Sequence, residues 1–231
     1  MEENNNLTAE RSLKIITEQI EQSRRAVSKT LGQELFIAGI ATMATAVLVA
    51  IVNISLTSEG LNGLGHLLWF LLPFLDKGLE RILIKERAHA PASFVGSMVA
   101  RTWATFGIFA LGFFVIALVW GFISSKFLTA GEYPVHQMRV APIIVLMMGM
   151  AVTMSGFILK KNWLVWFGAV AGLLCFVWEH LQIGTWLVLH AAPQNVKAAA
   201  LFVSSMPCLT FFMFAAIGLL LPGLMLKKES L

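Results

Sequence analysis

The stretch Glu34-Leu-Phe-Ile-Ala-Gly-Ile-Ala-Thr-Met-Ala-Thr-Ala-Val-Leu-Val-Ala-Ile-Val-Asn-Ile-Ser55 decides the fold. Its only charge is at its first residue. A hydrocarbon core about 30 Å thick is crossed by roughly 20 helical residues, and this run is long enough. In lipid, backbone N–H and C=O groups find no water, so such a run must close its own hydrogen bonds as a helix. Ala38, Thr42, Ala46 and Ala50 recur every four residues, a small-residue stripe suited to close helix packing.

On the N-terminal side, residues 1–6 read as a disordered tip. Thr8 is a plausible helix cap with Glu10 in the first turn. From there to about Thr30 the chain reads as an amphipathic helix. Leu13, Ile16, Ile20, Val27 and Leu31 fall near one face, and Ile15 broadens it. The other positions carry Arg11, Lys14, Glu18, Glu21, Arg24, Arg25 and Lys29. This helix is expected to lie on the membrane surface or dock on the protein's own loops, to pair with a copy of itself, or simply to lead into the first span. No signal-peptide core precedes it, so the first span is expected to be an uncleaved anchor. The division is thus 1–32, a cytoplasmic tail and helix, and 33–231, a transmembrane domain.

On the C-terminal side, five more apolar runs follow. A second span is expected over 64–83, with Pro73 kinking or breaking it. The charged stretch 76–91 then reads as a loop, closed by Pro91. A third helix covers 92–124, with Arg101 at its entrance. Residues 125–139 form the longest connection. The fourth span is 140–159, and Lys160-Lys161-Asn162 is a tight polar turn. The fifth starts at Trp163 and reaches Leu181, with an extension to His190 left open. The sixth covers 196–226, with Pro207 as a mid-span kink. The fold class is therefore all-α: a polytopic bundle of six transmembrane helices plus an N-terminal amphipathic helix.

Composition agrees. Of 231 residues, 58% are hydrophobic and 13% charged, about half the charged share of a soluble domain. Mean hydropathy is +0.78. These figures exclude soluble globular and disordered classes. The excess of base, net +4, is sorted along the chain. Thirteen of seventeen lysines and arginines fall on one side of the six-span map; Lys126, Arg139 and Lys197 fall on the other. That asymmetry places both termini in the cytoplasm. It also argues against nucleic acid as a partner, since no dense basic face is present. Apart from Trp69, the tryptophans form two belts, Trp103, Trp163 and Trp166 inside and Trp120, Trp178 and Trp186 outside.

Chemistry-bearing residues are few. His66, Glu179 and His180 lie toward the outer side, with His136 and His190 nearby. Glu and His ligate metals and carry protons, so a metal or proton site is one reading. The other is interfacial anchoring. Glu179 and His180 are neighbours about 100° apart on a helix, and Glu179 falls near the outer boundary, where charge costs little. Arg101 is expected to snorkel to the interface or to pair with Glu34, Asp76 or Glu80. Gly168 and Gly172 form a GxxxG for a helix of the same chain or a second copy. Cys175 and Cys208 lie inside apolar runs and read as small hydrophobes, with a disulfide open to them only if two helices meet at that depth. No GxSxG, HExxH or Walker motif is present. No enzyme and no cofactor are therefore expected. Span hydroxyls such as Thr42, Thr45, Thr153, Ser155 and Thr210 are expected to bond back to their own helices.

Four stretches in order carry a resemblance. They are Ser12-Leu-Lys-Ile-Ile-Thr-Glu-Gln-Ile-Glu-Gln-Ser-Arg-Arg25, Arg101-Thr-Trp-Ala-Thr-Phe-Gly107, Met148 to Asn162, and Gly218-Leu-Leu-Leu-Pro-Gly-Leu-Met-Leu-Lys227. Together the chain resembles a group of uncharacterised bacterial inner-membrane proteins with an N-terminal cytoplasmic helix. The resemblance implies a small multi-span membrane protein and brings no activity with it. The expected function is a non-enzymatic scaffold, sensor or regulator, meeting the bilayer and a cytoplasmic partner or a second copy; the alternative is a small-solute or ion channel or transporter.

Overall fold

The computed structural model describes residues 2–56, 64–83, 93–127, 139–191 and 196–229, with side chains at 10–56, 64–83, 93–123, 139–187, 190 and 205–229. The expected turn at 57–63, the part of the charged loop at 84–92, the long connection containing His136, and the break at 192–195 lie outside them.

All regular structure among the described residues is helical. The first element corrects the sequence reading. Helix α1 runs unbroken from Glu2 to Leu56, so neither a tip at 1–6 nor a start at Thr8 is seen. The physical reason is that nothing in between interrupts a helix: no proline occurs, and the glycines at 32 and 39 are held by close neighbours. A Cβ at Gly32 would stand 2.8 Å from Leu226 Cβ, and one at Gly39 2.9 Å from Leu220 N. The tail and the first span are therefore one rod, about 82 Å long at 1.5 Å per residue.

The segment after it is the least regular. Leu64–Leu71 winds as a 3-10 helix and Leu72–Leu83 (α2) as an α-helix, the change falling one residue before Pro73. Pro73 thus occupies the first turn of α2, where its missing N–H costs nothing. The 3-10 period of three aligns His66 with Trp69. His66 meets Asn53 of α1, and Trp69 meets Phe211, their ring centroids 4.5 Å apart. Residues 76–83, expected as loop, are the last eight residues of the twelve-residue α2.

Helix α3 (Phe94–Phe127) begins at Ser93, whose Oγ accepts from Gly96 N at 3.1 Å. It touches the rest through a few residues: buried Val95 and Val99, Phe114 against Phe70, and Trp103, whose Nε1 donates to Ser155 Oγ. Arg101 on this helix is exposed, and no ion pair joins it to Glu34, Asp76 or Glu80.

Helices α4 (Val140–Leu159) and α5 (Asn162–His180) form a tight hairpin. Lys160 closes it with φ 55°, the N–H groups of Lys160 and Lys161 bonding Phe157 O and Gly156 O at 3.1 and 2.9 Å. The Gly168–Gly172 pair has its partner within the chain. A Cβ at Gly168 would stand 2.6 Å from Thr153 N, and one at Gly149 2.7 Å from Gly172 Cα.

Helix α5 stops at His180. After Leu181 and Gln182 a separate short helix α6 (Ile183–Ala191) begins, so the open extension to His190 is a second element. The last stretch is continuous: α7 (Val196–Phe214) passes through Pro207, a π turn follows over Ala215–Leu220, and α8 (Leu221–Glu229) ends it. α8 lies along α1, where a Cβ at Gly223 would meet Phe36 N at 2.5 Å. At its tip Glu229 binds Lys161 Nζ at 2.5 Å and Trp163 Nε1 at 3.0 Å.

The core lies where α1, α4, α5 and α7–α8 meet, around Val49, Val145, Val152, Leu164, Phe214 and Leu219. Buried hydroxyls bond back along their own helices, Thr45 to Ala41 O and Ser155 to Ala151 O, both at 2.8 Å.

Candidate functional site

The most polar buried point is where α5 ends. Glu179 is 7% exposed. Thr210 Oγ1, on α7, donates to its Oε2 at 2.7 Å; the same hydroxyl lies 3.0 Å from Met206 O. One hydroxyl proton therefore faces two acceptors. Arg139, just before α4, donates from Nη1 to the Glu179 carbonyl at 3.1 Å, a cation at a helix C-terminus, where the dipole favours it. The Gln182 amide faces the same guanidinium. Gln182 has φ 51°, and its own carbonyl accepts from Trp186 N at 2.9 Å to open α6. A non-glycine residue in this left-handed region carries strain of order 1–2 kcal/mol.

The expected site residues do not converge. His180 is exposed on another face of α5, stacked on Phe176 at 5.2 Å with 9° between the rings. His66 is held by the Asn53 amide at 3.3 Å. His190 bonds Trp186 O at 2.8 Å and lies against the Trp186 ring. Among the described residues no three His, Cys, Asp or Glu side chains come together to hold a metal. Glu179 is also not the exposed interfacial anchor that its place near a span end suggests: it is folded inward against α7, where a bare charge is costly and a hydrogen bond is required.

Sequence reasoning missed three partners. Arg139 reads only as a stray outer charge, Gln182 as part of a helix of uncertain end, and Thr210 as one more hydroxyl bonded to its own helix. It also missed Asn53. A lone amide inside an apolar run was the available signal there, because a buried amide must find a partner.

Five helices among the described residues are long and apolar enough to cross a membrane: Glu10–Leu56, Phe94–Ile123, Val140–Leu159, Asn162–His180 and Ser205–Glu229. Large side chains face outward along much of their length, such as Ile108 at 72% and Phe122 at 63% exposed, as suits contact with lipid. The class this defines is an all-helical protein consistent with residence in a membrane. The chain matches no family model, no curated protein and no solved structure.

Proposed function

We propose that this is a six-crossing protein of the bacterial inner membrane with both termini in the cytoplasm, acting as a non-enzymatic scaffold or regulator. The sixth crossing is the 3-10 segment with α2. What supports it is its course: His66 lies beside Asn53 near one end of the first span, and the charges of Lys77, Asp76 and Glu80 act on Glu34 at the other. The sorting of basic residues agrees with this.

One observation carries the functional reading. α1 continues past the bundle as a rigid helix whose residues Leu13, Ile16 and Ile20 are exposed. Such a mast suits a docking role. The test is a deletion of residues 2–22 in cells. The spans should stay inserted, and an adduct formed with a cytoplasmic protein from a photo-cross-linker at position 16 should have no counterpart in the deleted form. An unchanged set of associations after deletion overturns the reading. Fusion reporters at 59, 88, 131 and 228 test the topology; a cytoplasmic signal at 131 breaks the map.

A carrier for a small cation is the second reading, favoured by the buried Glu179 carboxylate with its single shared donor. In proteoliposomes it requires a cation flux that Glu179→Gln removes.

A further inference from the structure

The apolar stripe of α1 does not stop where the bundle stops. Ile20, Val27 and Leu31 are spaced seven and four residues apart and share a face. Val27 and Leu31 are buried, whereas Leu13, Ile16 and Ile20 on that face are 65%, 52% and 41% exposed. The stripe therefore overhangs the bundle on the side where the bundle lies.

That geometry restricts what can cover it. The overhang keeps the direction of the span, so residues 2–22 rise about 31 Å away from the bilayer, at 1.5 Å per residue. Acyl chains are out of reach at that height. A second copy in the same membrane would present its own overhang in parallel. The span beneath that second helix would then run through the volume this chain's bundle fills. A segment of a soluble protein, laid above the bundle and against the stripe, meets neither obstacle.

The foot of the stripe sets the charge of that segment. Arg24 stands on the stripe between Ile20 and Val27. It is paired with Glu21 at 2.5 Å, yet its Nε is buried with no hydrogen-bond partner. Arg25 and Lys29 are exposed beside it. Lys227 reaches the same helix from α8, its Nζ 5.4 Å from the Phe36 ring centre, and Lys228 follows it, exposed. Glu18, Glu21 and Glu34 are the acids of α1 in this zone, and Glu2, Glu3 and Glu10 lie toward the far end, so the excess of base is confined to the foot of the stripe. We propose, resting on the scaffold reading above, that the overhanging stripe docks an amphipathic helix of a soluble partner. Its apolar side lies on Leu13, Ile16 and Ile20, and acidic residues at its bilayer end face Arg24, Lys227 and Lys228.

The test uses the full chain in phosphatidylcholine nanodiscs and two labelled synthetic helical peptides. Both carry the same leucine stripe; one is flanked by glutamates and the other by lysines. Fluorescence anisotropy should show the glutamate peptide binding about tenfold or more tighter, a gap of about 1.4 kcal/mol. Leu13→Asp with Ile20→Asp should weaken it at least about tenfold, and Lys227→Glu with Lys228→Glu should reverse the preference between peptides. Those positions are exposed, and unchanged elution of each variant shows that it is folded. Equal binding of the two peptides, binding that survives the stripe variant, or disulfide-linked pairs of an Ile20→Cys chain overturn the proposal; the last assigns the stripe to a second copy. If these fail while the adduct at position 16 persists in cells, the acidic helix is wrong and the scaffold reading stands.

Discussion

The α4–α5 hairpin and helix α3 are both apolar and both rich in glycine, yet the structure uses those glycines in opposite ways. In the hairpin, Gly149, Gly168 and Gly172 let two backbones approach until a methyl group would strike backbone atoms. In α3, Gly107, Gly112 and Gly121 have nothing within 4 Å of where a Cβ would lie. A glycine in an apolar helix is thus no packing signal on its own. What makes it one is a second backbone across from it, and in the hairpin that backbone is supplied by a turn only a few residues long.

The sharpest way to break this comparison is Gly168→Leu. Besides the Thr153 hydroxyl, the nearest atoms are Thr153 N and Gly149 O, backbone atoms that cannot swing aside, so the hairpin should open; loss of a monodisperse peak in detergent is the readout. Gly149→Ala should cost about 3 kcal/mol, the upper end for overpacking, in reversible denaturant unfolding in bicelles. If it is tolerated within the scatter of surface variants, the close approach is wrong. Thr210→Val tests a polar contact of the same core. It leaves the buried Glu179 without its donor and should cost about 1–3 kcal/mol. Gly112→Ala is the mirror experiment on α3, expected to stabilise by about 0.5–1 kcal/mol through helix propensity alone. Destabilisation there would mean that a partner covers that face. The smallest effect belongs to Lys161→Ala at the half-exposed pair with Glu229, within about 1 kcal/mol and weaker in high salt.

Much of the architecture is legible in local patterns. The apolar helix over residues 140–159 and the tight turn at Lys160 follow from an apolar run bounded by charge, because hydrophobic length and polar punctuation are properties of adjacent residues. The segment over 64–83 is harder to read. Its His66 and Trp69 meet Asn53 of the preceding helix and Phe211 of α7, partners that the local pattern does not name. The joining of the tail to the first span is hidden in the sequence for a related reason. A switch from charged to apolar side chains marks the edge of the bundle, and a helix backbone does not register it.

The site shows the same limit. That Glu179 and His180 diverge follows from helix geometry and needs no fold. That Glu179 turns inward, and that Arg139, Gln182 and Thr210 gather at it, follows from α4 and α7 reaching the end of α5. The order of apolar runs and the sorting of charge were determined by the sequence alone, because transfer from water to lipid is scored residue by residue. Which glycines close a contact, which acid is buried and which stripe is left uncovered were decided by the tertiary structure, because each depends on an atom that only folding brings near.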